Sequence, residues 1–496
     1  MVARNTAWNL LGQVAPAIAA VFTVPILIHG LGTERFGVLT LIWLVVGYFS
    51  IFDLGLGRAL TQLLAERLGR DDHASIPPLV WTALGMMGCL GLVGTGVAAL
   101  LAPALQHGLK MPAGLRVETL HAIYLLALSV PVVVSTAGLR GVLEARQRFD
   151  LANVVRLASG VFTYVGPVLA LVFSHSLVAI TIVLLAGRMV TWAAYLVMCA
   201  RELPELRRRV AFDSAYVRPL LRVGGWMTVS NVVGPFLVYL DRFLIATLIG
   251  AAAVAYYVTP FEIVTRLLML PWAFAGVLFP LIASTFAPNP DHSARLFSRG
   301  IRLILLTLFP FVLCAIAFAH EGLSLWVGES FAAHSEVVLR WLAVGVFANG
   351  IVQVPFATIQ AAGRPDLTAR IHLIELPLYV PTLWWMAHRW GIDGAAVAWT
   401  LRGGLDLAAQ FVVATRLLPT RTWVSGAAAR ALAAAAFAAA AFAAAAFVPG
   451  LSSRVIVVVA ALTAFGALGW TRMLDADDRA YIKGLATRAS ARFRVA

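Results

Sequence analysis

The chain has 496 residues, of which 61% are hydrophobic and only 12% charged, with a formal net charge of +14. A soluble domain carries about 25% charged residues, and one this apolar would expose aggregation-prone patches in water. A water-soluble enzyme or binding module is therefore excluded, and a bilayer is the solvent that suits the composition.

Apolar runs long enough to cross a bilayer, about 20 residues each, follow one another along the chain. They predict fourteen membrane helices, at 7–29, 37–57, 79–101, 120–139, 151–173, 177–199, 223–249, 252–283, 301–320, 337–359, 371–390, 394–417, 427–448 and 454–473. The first run exceeds the roughly 7–15 apolar residues of a cleaved signal peptide, so it is expected to be retained. The longest polar stretches, 201–218 and 474–496, are a connector and a tail, and the longest outer loops are expected at 102–119 and 321–336. Prolines interrupt many runs, among them Pro16, Pro131, Pro260, Pro310 and Pro377, and each favours a kink. Cys89, Cys199 and Cys314 lie in separate apolar runs, as packed free thiols do, with no disulfide or metal spacing.

With the N-terminus placed in the cytoplasm, only Arg35, Lys110, Arg116, Arg340, Arg389 and Arg454 fall on outer loops, and most of the 38 Lys and Arg fall on inner loops and the tail. This is the positive-inside rule acting at nearly every loop. It predicts two cytoplasmic termini and an even helix count, and it explains the basic charge without a nucleic-acid partner. Attraction to anionic membrane lipids is a second consequence. Arg58, Arg140, Arg156, Arg218 and Arg222 sit at inner helix ends. They form a basic cytoplasmic mouth, which an anionic headgroup entering from the inner leaflet would meet first.

The chain resembles itself. A shift of 218 places Trp8 on Trp226 and Gly32 on Gly250, and a shift of 216 places Arg148-Phe149-Asp150-Leu151 on Arg364-Pro365-Asp366-Leu367. Two copies of a six-helix unit in the same orientation are the expectation, an arrangement typical of secondary transporters, whose binding site lies between the halves. The expected division is 1–210 for the first lobe, 211–420 for the second, 421–474 for two additional helices and 475–496 for a basic cytoplasmic tail. The Ala/Phe-rich run 427–448 is expected to pack peripherally.

Charges at membrane depth are costly enough to be shielded or functional. The set is Asp53, Arg188, Asp241, Arg242, Glu262, Arg266, Glu375, Arg402 and Asp406. Glu262 with Arg266, and Arg402 with Asp406, are spaced to pair along one helix face. Self-neutralisation and lining of a wet cavity are both open for these pairs. Arg188 has no acidic residue one turn away. His372 precedes Glu375 by three residues and could join a proton relay, with a loop-end histidine the favoured reading. No GxxxxGK[ST], HExxH, GxSxG or CxxC occurs, so no catalytic constellation argues for an enzyme.

Residues 31–69, beginning LGTERFG, and 238–280, with Asp241, Gly250 and Tyr256-Tyr257, together with QAAGRPDLTAR at 360–370, resemble the bacterial polysaccharide (O-antigen type) flippases of the multidrug, oligosaccharidyl-lipid and polysaccharide exporter superfamily. The resemblance implies an all-α carrier of two six-helix lobes plus two C-terminal helices. It implies export of undecaprenyl-pyrophosphate-linked oligosaccharide across the bacterial inner membrane by alternating access, for cell-surface or exopolysaccharide assembly. It further implies coupling to H+ or Na+, no other cofactor, and a polysaccharide polymerase and chain-length machinery as partners. On this reading Arg242, Arg266, Arg402 and Arg188 meet the pyrophosphate, and Asp241, Glu262, Glu375 and Asp406 are the ion-coupling candidates. A cation-coupled multidrug exporter is the alternative. A peptidoglycan-precursor flippase is disfavoured, because helix 1 carries Asn9, Gln13 and His29 where that branch carries charges.

Overall fold

The computed structural model describes residues 2–48, 55–108, 110, 112–208, 210–222, 240–418, 427–473 and 479. Asp53, Trp226, Arg421 and nearly all of the tail 475–496 lie outside them. The described residues are helical, with no strand among them. Nine of their helical stretches are long and apolar enough to cross a membrane.

The chain divides into two compact units, Met1–Tyr256 and Tyr257–Ala496. The first holds α1 (Val2–Tyr48), α2 (Leu56–Gly69), α3 (Ile76–Gly108), α4 (Ala113–Ala127), α5 (Val130–Ala145), α6 (Phe149–Leu171), α7 (Leu177–Glu202), α8 (Glu205–Arg208) and α9 (240–248). Within it α1 packs on α6, α3 on α4 and α5, and α7 on α4, α5 and α6. The division falls inside α10 (Ala251–Thr265). The second unit continues through α11 (Met269–Thr285), α12 (Pro290–Ala317), α13 (Ala319–Val327), α14 (Glu329–Ala361), α15 (Pro365–Leu417), α16 (Ala427–Phe447) and α17 (Leu451–Leu468). There α14 is the hub, packed by α11, α12, α13 and α15.

The expected runs become helices for local reasons. Asn289 caps α12 by accepting from the His292 amide at 3.0 Å, with Pro290 at its first turn, where a missing N–H is harmless. Ser176 caps α7 through the Val178 amide. Two elements each join two expected runs through a tight non-helical break in place of a longer loop. In α1 the break is Gly32, at φ 77°, a left-handed conformation that glycine adopts without steric cost. In α15 the break is Trp390–Gly391, with Gly391 at φ 62°.

Two outer loops differ from expectation. The 102–119 segment is largely helical, because α3 runs through Pro103 to Gly108 and α4 starts at Ala113. The 321–336 segment is divided between α13 and α14, with Gly328 between them. Polar residues there are compatible with helix and do not by themselves end one. The Ala/Phe-rich α16 is not merely peripheral. Its Phe442 lies 5.6 Å from Phe309 and 5.1 Å from Phe347, ring to ring, and Ala438 and Ala445 are fully buried. Alanine lets the helix approach closely while phenylalanine fills the gap.

The 216-residue correspondence extends to backbone detail. Gln147 (φ 58°) and Gly363 (φ 72°) close the preceding helices with positive φ. Arg148 N–H donates to Leu143 O, and Arg364 N–H to Ile359 O. Arg148 then forks onto Asp150 at 3.1 and 3.3 Å, and Arg364 onto Asp366 at 2.9 and 3.0 Å. Two chain segments thus build one helix-end motif with the same donors and acceptors.

Candidate functional site

The most concentrated chemistry lies in the second unit, where Trp390–Gly391 lets the two arms of α15 run side by side. Residues 27 apart in sequence then face each other: Arg402 Nη1 lies 3.9 Å from Glu375 Oε2. His372 Nε2 lies 3.8 Å from Asp406 Oδ1. One ligand atom each from His372, Glu375 and Asp406 falls within 4.8 Å of the others. Gln410 Nε2 donates to Asp406 Oδ1 at 2.6 Å, and the Arg402 guanidinium lies over the Tyr379 ring, 5.3 Å from its centroid.

Glu375 and Asp406 are buried. Neither Glu375 oxygen has a hydrogen-bond partner, nor do Arg402 Nε and Gln410 Oε1. Buried polar atoms of native proteins are normally satisfied. Two carboxylates facing one guanidinium and one imidazole form a site with room for a small cation or a proton.

This arrangement corrects the expected pairing. Arg402 and Asp406 are one turn apart but do not pair. Arg402 reaches across to Glu375, while Asp406 takes Gln410 and His372. Helical spacing permits a pair but does not select it when a closer packed helix offers a partner. His372 is likewise no loop-end residue, since it sits two turns inside α15. Gln410 and Tyr379 carry no charge and so do not stand out among membrane-depth ions; the i,i+4 spacing of Asp406 and Gln410 is the sequence signal for the first.

Glu262 and Arg266 do pair, at 3.4 Å, but their side chains are 43% and 39% exposed. Arg266 lies in a 3₁₀ turn between α10 and α11, below Pro260 and above Pro271, where the helix is irregular. Phe261, one turn earlier, meets the Trp399 ring edge-on at 5.3 Å, which docks α10 on the second arm of α15.

In the first unit Asp241 and Arg242 are both buried, and the Asp241 carboxylate accepts from the Arg242 amide at 2.8 Å. Arg188 stands apart on α7. It has no ion pair among the described residues, and its buried Nε has no hydrogen-bond partner. At the mouth, Arg58, Arg140, Arg218 and Arg222 are exposed and Arg156 is half-buried. Arg140 is engaged by Glu144 at 3.3 Å. Arg188 and Arg242 thus belong to one unit, and Arg266 and Arg402 to the other.

Residues 2–286 match the model of a family described as polysaccharide biosynthesis proteins. A Shigella flexneri protein named for O-antigen transport is 29% identical over 407 residues, covering 82% of this chain and 96% of that protein. A Haloferax volcanii protein described as a low-salt glycan biosynthesis flippase, Agl15, is 25% identical over 384 residues, covering 75% of this chain and 74% of its own. Among solved structures, an inward-facing multidrug transporter of the MATE family superposes with a TM-score of 0.70 at 14% identity, covering 82% of this chain and 98% of that one. The lipid II flippase MurJ, in an inward closed conformation, superposes at 0.69 with 11% identity, covering 93% and 98%. These two establish the fold.

Proposed function

Because the chain belongs to the polysaccharide biosynthesis protein family, we propose that it is a flippase that carries a lipid-linked oligosaccharide across the membrane, and not an enzyme. The proposed substrate is an undecaprenyl-pyrophosphate-linked oligosaccharide. The proposed setting is the bacterial inner membrane, with both termini cytoplasmic and a polymerase with its chain-length machinery downstream. The Shigella and Haloferax relatives support the substrate class.

The observation that carries the anionic reading is Arg188. A guanidinium at membrane depth with no carboxylate partner among the described residues is costly, and a phosphate ligand is the natural recipient of its forked donors. The cluster of His372, Glu375 and Asp406 suits the coupling step. Two buried carboxylates beside an imidazole can take up H+ or Na+ in one conformation and release it in the other.

The test is transport in proteoliposomes with a fluorescent lipid-linked oligosaccharide, read by accessibility to an external quencher. Wild type moves the lipid, Arg188→Lys moves it more slowly, and Arg188→Gln inserts but does not move it. Full transport by Arg188→Gln would remove that residue from the site. Export of an organic cation in place of the lipid would favour the multidrug reading. Reporter fusions at the C-terminus test the orientation, and periplasmic activity there would overturn it.

A further inference from the structure

A cavity of about 240 Å³ opens in the first unit, away from the membrane-depth charges. Its walls include Trp81 and Leu84 of α3, Leu139 of α5 and Leu196 of α7, and the segment after α7 closes it with Arg207 and Val210. These are the ends of α3, α5 and α7 that the charge bias places at the cytoplasmic surface.

The wall offers nothing to a polar guest. Trp81 Nε1 donates to Leu206 O at 3.2 Å, and Cys199 Sγ to Leu139 O at 3.1 Å, so the polar hydrogens at the wall are spent on backbone carbonyls. A water needs two to four polar partners to occupy such a space. The cover is pinned by its own contacts: the Asp213 amide donates to Thr82 Oγ1 at 2.9 Å, and Glu205 meets His73 at 3.4 Å. Yet this pinned segment leaves Val210 73% and Phe212 64% exposed. Exposed large apolar side chains at the rim extend the apolar surface of the cavity.

At the mouth lies the one charged lining residue, Arg207. It is exposed, and it makes no ion pair with any described residue. An apolar bed with a single uncommitted guanidinium at its mouth complements a hydrocarbon chain that ends in a phosphodiester.

We infer that this cavity holds one acyl chain of an anionic glycerophospholipid of the cytoplasmic leaflet, with the phosphate on Arg207. One guanidinium matches the single charge of a phosphodiester, whereas a pyrophosphate carries at least two. The site is thus a resident-lipid site beneath the segment that follows α7, separate from the transported lipid. It does not depend on the flippase assignment.

The experiment uses the purified full chain in micelles, with bound lipid counted by native mass spectrometry and stability read by thermal unfolding. Wild type retains one phosphatidylglycerol and gains more in unfolding midpoint from it than from phosphatidylcholine. Arg207→Gln lowers phosphatidylglycerol retention about tenfold, as loss of a charge-assisted hydrogen bond predicts, while Arg201→Gln, an exposed arginine outside the lining, leaves it unchanged. Leu84→Trp fills the cavity and abolishes retention. If that variant does not fold, the exposed Arg207→Gln decides alone. Equal retention by Arg207→Gln and wild type would overturn the site, as would equal loss in Arg201→Gln, which would indicate general charge attraction. Equal gains from the two lipids would overturn its anionic selectivity. Displacement of phosphatidylglycerol by a polyprenyl phosphate would overturn the identification with a resident lipid.

Discussion

Removing the two partners of the Glu375–Arg402 contact should have unequal effects, and the inequality can be worked from the distances. At 3.9 Å and an effective dielectric constant of about 20, the attraction is about 4 kcal/mol. Glu375 also faces Asp406 within 4.8 Å, which with both groups ionised is a repulsion of about 3.5 kcal/mol on the same scale. The two oppose each other at similar size, so Glu375→Gln should cost clearly less than the roughly 3–5 kcal/mol of breaking a buried pair. Arg402→Met instead leaves the buried Glu375 without its cation and still facing Asp406, and breaking a buried pair in this way costs about 3–5 kcal/mol. The double variant Glu375→Gln/Arg402→Met leaves only Asp406, still held by Gln410 and His372, and should recover most of that loss. Thermal unfolding of the three purified variants measures the cycle, and gradient-driven transport in proteoliposomes measures the function. Glu375→Gln should be stable but uncoupled. Equal destabilisation by the two single substitutions, or no recovery in the double, would refute the reasoning.

Three further outcomes are expected. Arg266→Met should cost only about 0.2–1 kcal/mol, because the pair it breaks is well exposed; a loss above about 3 kcal/mol in thermal unfolding would mean that the pair is buried in the membrane. Gly37→Ala should lower folded yield by fluorescence size-exclusion chromatography while Gly114→Ala does not, since a Cβ at Gly37 would lie 1.8 Å from the backbone oxygen of Ala251 and one at Gly114 meets open space. That overlap is with main chain, which cannot rotate away, so at least about 1–3 kcal/mol is expected. Acid should loosen the start of α15 before its interior: the Arg364 hydrogen bond holds the Asp366 carboxyl below its usual range, so its contribution is present above the unfolded pKa and is lost as pH falls through the lower folded value. Hydrogen exchange at 365–369 should rise in that window, and Asp366→Asn should show the raised exchange at neutral pH.

Features that depend on neighbours along the chain are legible in the order of the residues. Apolar length defined the helical carrier architecture and cation bias its expected orientation, because a bilayer admits few alternatives for a spanning backbone. The shift of 216 exposed a repeated helix-end motif, because Arg148 and Arg364 each bind a carboxylate two residues on. The membrane-depth charges were also visible, because such residues are rare and stand out in apolar runs. Which charge meets which was decided only by tertiary structure. Arg402 had Asp406 one turn away and reached Glu375 instead, because the Trp390–Gly391 break brings the arms of α15 side by side and a facing helix presents donors and acceptors that no spacing rule along one helix contains. The same packing decided burial: Glu262–Arg266 and Glu375–Arg402 look alike as opposite charges in apolar sequence, but the first pair is about 40% exposed and the second is enclosed. Enclosure is set by the helices packed around a site, and with it the strength of every charge inside.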